Sequence, residues 1–167
     1  MDAHNLFDFE DYVSRLTQGN RLAQEHGFRF CTCSGIESLQ GPLEDFCNES
    51  AFVCVDDTND GALFTGRGGG FYKKRTCTVF ILHRYEFRDM ADRSRVLAIC
   101  RELFRQIMSR MIVDEADLSN NLIYLDTSNV LCRELGQYFL NGCTGLYFMV
   151  DVSEPVDLKY NADEWQS

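Results

Sequence analysis

Proline is scarce, with two residues in 167, and no Ser/Pro or Gln/Asn tract interrupts the chain. That leaves little room for disordered linker. No internal repeat appears at a period that would build a solenoid. Long apolar runs are missing too: none approaches the ~20 residues that a bilayer span requires. The opening Met1-Asp2-Ala3-His4-Asn5 has neither a basic n-region nor an apolar h-region. A secretory signal is therefore not expected, and the chain should fold in the cytoplasm where it is made.

Chemical motifs are equally thin. Gly66-Arg67-Gly68-Gly69-Gly70 lacks the GxxxxGK[ST] spacing of a phosphate loop, precedes a strand rather than a helix, and reads as a flexible hairpin tip. Cys31-x-Cys33 is not a CxxC pair, and no second ligand pair stands at zinc-finger spacing, so no metal or cofactor site is expected. Alternate strand positions put these two thiols on one face, where core packing explains them. Histidine is limited to His4, His26 and His83. His83 shares a strand face with Val79, Ile81 and Tyr85, the setting of a hydrogen-bonded, partly buried imidazole. No serine or cysteine sits in a GxSxG context. Paired acids such as Asp56-Asp57 and Asp163-Glu164 read as solvated loop residues. No catalytic residues, and hence no enzyme, are expected.

What is present fits one globular domain. Apolar residues make up 45% of the chain and aromatics 13%, Phe foremost, enough for one hydrophobic core. Eight cysteines are even in number. Most fall in or beside apolar segments, and the expected compartment is reducing, so all eight are expected as free thiols.

Helical spacing of Phe9, Tyr12, Val13, Leu16 and Asn20 predicts a helix over Asp8–Glu25, stopped by Gly27. Phe28–Cys33 and Ala51–Val55 read as strands. Residues 36–50 read as a loop with one helical turn at Leu43–Cys47, and Asp56–Arg75 as a long glycine-rich loop. Arg75–Phe87 is the clearest strand, and Val79-Phe80-Ile81-Leu82 suggests an interior strand covered on both faces. The strands either side of the glycine-rich loop make an extended hairpin. Asp92–Val113 is the best helix, with Val96, Cys100, Leu103, Phe104, Ile107, Met108 and Met111 as its apolar stripe. The acidic Asp114–Asp117 run follows it. Leu122–Leu125 reads as a strand, 128–141 as a short helix, and Leu146–Val152 as a strand with apolar even positions. The expectation is an α+β domain over residues 1–155, mostly antiparallel sheet with a long β-hairpin, packed against two main helices. Residues 156–167 form an extended tail ending in an acidic–aromatic segment, Tyr160–Trp165.

Charge is segregated. Residues 1–66 carry 12 acids and 3 bases, residues 67–113 carry 11 bases and 4 acids, and residues 114–167 carry 10 acids and 2 bases. A basic block thus lies between two acidic ones. It suggests a surface that meets an acidic partner or neighbouring subunit, with Arg67, Lys73, Lys74, Arg75, Arg93, Arg101 and Arg105 as its candidates. Tyr160 and Trp165 are candidate interface anchors in the tail. The total charge of −10 disfavours specific nucleic-acid binding.

The order helix, sheet with a long hairpin (Asp56–Arg75), amphipathic helix and closing strands resembles the tail-completion and tail-terminator proteins of tailed bacteriophages. Asn141-Gly142-Cys143-Thr144-Gly145-Leu146-Tyr147-Phe148 resembles the hairpin turn and edge strand that such proteins carry late in the chain. The resemblance implies a structural subunit of the virion neck or tail, a homo-oligomeric ring, commonly sixfold, that contacts neighbouring neck or tail proteins. The residues equally allow a small intracellular adaptor that binds one protein partner through the basic helix and the tail.

Overall fold

The computed structural model describes residues 6–35, 50–136 and 142–166. Asp8 caps the first helix, α1 (Phe9–Gly19), by accepting from the Asp11 amide at 2.8 Å, and Glu10 and Asp11 complement the helix N-terminus. Phe9, Tyr12, Val13 and Thr17 form its buried stripe. The single helix expected over 8–25 is two. Asn20 adopts extended backbone, ends α1, and caps α2 (Arg21–Glu25) by accepting from the Ala23 amide at 2.8 Å. Its polar side chain offers the backbone an alternative to the helical ladder. Gly27, at φ +67°, then turns the chain into the sheet.

Among the described residues six strands follow: β1 (Phe28–Cys33), β2 (Ala51–Asp56), β3 (Asp60–Thr65), β4 (Phe71–Arg84), β5 (Tyr124–Glu134) and β6 (Cys143–Pro155). The sheet order is β1-β2-β4-β6-β5, and β3 pairs with β4 beyond the end of β2. Only β1 and β2 run parallel; the other pairings are antiparallel. This is the expected α+β class. Of the loop expected over residues 36–50, all but Ser50, and with it the turn at Leu43–Cys47, lies outside the described residues, as do residues 137–141.

Three further expectations are corrected. The stretch 56–75 is mostly strand: β3 folds back on the first half of β4, and only residues 57–59 and 66–70 lie outside strands. The short helix expected from residue 128 is, through Glu134, the second half of β5. There Leu131 pairs with Met149 across a bulge following Asp126, so partnership with β6 overrides the helical spacing of Leu131 and Leu135. The segment that resembled an edge strand belongs to β6, an interior strand flanked by β4 and β5.

The main helix, α3 (Met90–Asn120), is longer than its stripe suggested and spans about 46 Å. It absorbs Asp114–Asp117, although acids are unfavourable near a helix C-terminus. Other elements supply the compensation. Tyr12 Oη donates to Asp114 at 3.0 Å, and Thr127 Oγ1 donates to Glu115 at 2.6 Å.

Helices α1 and α3 cover one face of the sheet. Val53, Val55, Val79, Ile81, Phe148, Val150 and Val152 meet Val13, Leu103, Ile107 and Met111 there. On the opposite face Cys31, Cys33, Phe52, Cys54, Phe80, Leu82 and Cys143 are also buried, which accounts for the two-sided apolar centre of β4. The seven described cysteines are free thiols, and only Cys132 among them is exposed; Cys47 lies outside the described residues. No described helix is long and apolar enough to cross a membrane.

Candidate interaction surface at the hairpin tip

The basic block does not form one surface. Its helical members are engaged within the chain, most of them by acids. Arg101 holds Glu134 through two bonds of 2.6 and 2.8 Å, and Arg105 holds Glu102 at 2.7 and 2.9 Å. The Arg105 contact, with a bond from Gln106, draws the Glu102 carboxyl down to about 2. Arg93 donates to the Leu135 carbonyl at 2.9 Å, and Arg110 pairs with Asp114 at 2.8 Å. On β4, Lys74 pairs with Asp151. Arg75 turns inward to Glu154 at 2.9 Å and to the Phe7 carbonyl at 2.7 Å, while the Phe7 amide donates to Glu154 at 2.6 Å. Arg75 thereby clips the segment before α1 onto the sheet. Of the seven basic candidates, Arg67, Lys73 and Arg93 make no ion pair among the described residues, and of these Arg93 is held by the Leu135 carbonyl. Arg67 and Lys73 remain. Both belong to the β3–β4 hairpin.

That hairpin is an arm. All six residues of β3 are exposed, with Leu63 at 57% and Phe64 at 43%. Its loop is more compact than a flexible tip. The Gly69 amide donates to the Gly66 carbonyl at 2.9 Å, the Gly66 amide donates to the Gly70 carbonyl at 2.8 Å, and Gly69 has φ +85°. This is the three-residue hairpin loop in which a left-handed glycine restores the strand register.

Aromatic rings line the arm on the face away from the helices. Phe64 pairs with Tyr72 across β3 and β4, with ring centroids 5.6 Å apart and nearly parallel planes. Tyr72 is in turn 6.1 Å from Tyr124 on β5. With Gly66, Arg67, Gly70 and Ser153 these rings bound an open groove of about 650 Å³. A Cβ on Gly66 would lie 2.7 Å from the Tyr72 ring, so glycine is what lets the loop close against the groove floor. Reading the residues alone missed β3 and this ladder. The available signal was two short apolar runs, Ala62-Leu63-Phe64 and Phe71-Tyr72, flanking the glycines.

The tail leaves the sheet beside the same tip: the Val156 amide donates to the Phe71 carbonyl at 3.0 Å. Beyond it, Asn161 caps a single 3-10 turn, Ala162–Glu164. The two tail candidates come together, with Tyr160 and Trp165 stacked 6.3 Å apart. Both stay open to solvent, at 71% and 68%.

Between the two long helices the polar groups satisfy one another. A cleft of about 310 Å³ between α1 and α3 is lined by Tyr12, Arg15, Asn20, Gln106, Arg110 and Asp114. Tyr12 bonds to Asp114, which pairs with Arg110, and Asn20 donates to Gln106 at 2.9 Å. Burial and the Asp114 bond raise the Tyr12 hydroxyl, which keeps it a donor. The cleft is thus a helix–helix latch. Cys54 bonds to the Cys31 and Cys33 thiols, and these contacts with burial hold its thiol protonated. Burial pushes Cys77 up to about 11 and Cys100 up to about 12. Such thiols are poor nucleophiles. His83 Nδ1 lies 2.6 Å from the Arg84 carbonyl, and burial lowers its pKa, so the ring stays neutral and packs edge-on to Phe28 at 5.7 Å. The described residues hold no group of three or more His, Cys, Asp or Glu able to bind a metal. Compared with known proteins, the sequence matches no family model and no curated protein.

Proposed function

We propose that the protein is a non-enzymatic structural subunit of a tailed-bacteriophage neck or tail, acting in a ring that joins or terminates the tail. The observation that carries this reading is the β3–β4 arm. It exposes Leu63, Phe64 and Phe71 at 57%, 43% and 47%, and two cations, Arg67 and Lys73, that make no ion pair among the described residues. A monomer gains nothing from holding apolar side chains in water on a well-paired hairpin, whereas a subunit buries them against its neighbour. The acidic flanks of the chain offer complementary charge for such a contact. In this reading the protein resides in the virion after assembly in the host cytoplasm.

The stacked Tyr160–Trp165 pair favours a second reading, a small adaptor whose tail engages one protein partner. Light scattering after size-exclusion chromatography, followed by electron microscopy of the peak, separates the two. Closed rings of uniform size support the first reading. A species that stays monomeric at tens of micromolar, yet captures one partner through its tail, supports the second.

A further inference from the structure

The arm and the tail each expose aromatic side chains that their own chain leaves uncovered. The groove has a floor of Phe64, Tyr72 and Tyr124, with Arg67 at its rim and without an ion pair among the described residues. The tail presents Tyr160 and Trp165 as a preformed stack around Asp163 and Glu164. The two surfaces match in kind: aromatic against aromatic, an unpaired cation against two acids. We infer that the aromatic groove at the hairpin tip receives the Tyr160–Trp165 segment of a second copy of this chain.

A second copy is favoured over the chain's own tail on geometry. The tail is tied at Val156 to Phe71, next to the loop, at the end of a strand that runs towards the tip. To enter its own groove it would have to reverse within Asp157–Lys159. In the structure Tyr160 remains 71% exposed and Phe64 43% exposed, so the intrachain contact is not made. From Val156 to Tyr160, where the stack begins, an extended chain reaches about 14 Å, which lets the tail present the stack to a neighbour at the tip. Tyr, Trp and Arg are the residue types that most often dominate interface energetics. The contact is also heterologous: each copy gives a tail and receives another. Repetition closes a ring if the rotation allows and an open chain if it does not. The inference rests on the ring reading only in requiring self-association.

Trp165 is the sole tryptophan of the chain, so its fluorescence reports directly on the tail. The test is a concentration series read by emission wavelength, acrylamide quenching and light scattering together. The expected result is water-exposed emission in dilute protein, shifting to shorter wavelength with loss of quenching as mass rises. Arg67→Glu and Phe64→Ala should each raise the midpoint concentration about thirtyfold or more, as loss of an interface anchor does. Tyr160→Ala with Trp165→Ala should fail to associate alone, read by mass. Mixing that variant with Arg67→Glu should restore a complex, because one copy keeps a groove and the other a tail. Emission that is shielded at every concentration would place the tail in its own groove and overturn the inference. Association that leaves Trp165 exposed would overturn it too, while leaving the ring reading standing. A chain that remains monomeric up to hundreds of micromolar would sink both.

Discussion

The two ends of β4 belong to one strand and have opposite fates. From Cys77 to His83 every residue but Thr78 is buried, whereas from Phe71 to Thr76 none is. Backbone pairing does not distinguish them. β6 runs along the whole strand on one side, and β2 and β3 share the other. What differs is cover. Over the first end lie Leu103, Ile107 and Met111 of α3 on one face, and on the other Phe80 and Leu82 are buried in the cluster they share with Phe52 and Cys54. Over the second lie only partial contacts and solvent. Ladder hydrogen bonds make the strand; burial of its faces makes the core.

Substitutions at the covered end should have the largest effects. Gly145, opposite Leu82 with φ +148°, would place a Cβ 1.9 Å from the Ile81 carbonyl oxygen. Gly145→Ala is therefore expected to cost at least as much as Phe148→Ala, about 3–5 kcal/mol. Urea midpoints of the two variants check this; near-parental stability of Gly145→Ala would show that β4 and β6 can separate freely there. Midway along the strand sits the Arg75–Glu154 pair, whose side chains are 13% and 6% exposed. Glu154→Leu leaves the guanidinium without its acid and should cost about 3 kcal/mol. The double replacement Arg75→Met, Glu154→Leu should recover much of that loss in thermal melts, which separates a penalty for unpaired charge from loss of packing.

His83 sharpens the covered end by pH. Burial holds its folded pKa below the ordinary 6.5, against the opposing effect of the Arg84 carbonyl, with His26, Arg95 and Asp92 nearby. The unfolded state therefore takes up the proton first, and the neutral ring's contribution, complete above that ordinary value, is lost as pH falls below it. Denaturant titrations at pH 7.5 and 5.5 should show a smaller decline for His83→Gln than for the parent. The smallest effects belong to the open end. Phe64→Ser and Arg67→Ser should shift unfolding by no more than about 0.5 kcal/mol. A larger loss in dilute monomer would make the arm part of the core.

The covered end was legible in the residues. Val79–Leu82, the even positions of β6, and the stripe from Val96 to Met111 announce buried faces, because burial is what hydrophobic periodicity records. Three features were not. Asn20 hides a helix break inside helical spacing, since its side chain can serve a helix interior or a cap. β3 is exposed throughout, so it carries no alternation to read. The basic block was visible as charge, but its ion pairs were not. Glu134, the partner of Arg101, lies 33 residues away, and only the fold brings them together. Of the candidate site, Arg67, Tyr160 and Trp165 were found by residue type alone; the groove that gives them meaning required Tyr124 to be carried across β6.

The placement of α3 also bears on how the chain reaches this fold. The helix forms from neighbouring residues, yet it separates the two strands of the sheet's central pair. β4 and β6 join residues about 60 to 80 positions apart. Pairing them requires closing that whole loop before any ladder bond rewards it, the kind of topology that slows folding. Helical signal should therefore develop well before the β4–β6 amides gain protection. During that interval the apolar centres of both strands are open to other chains as well as to each other.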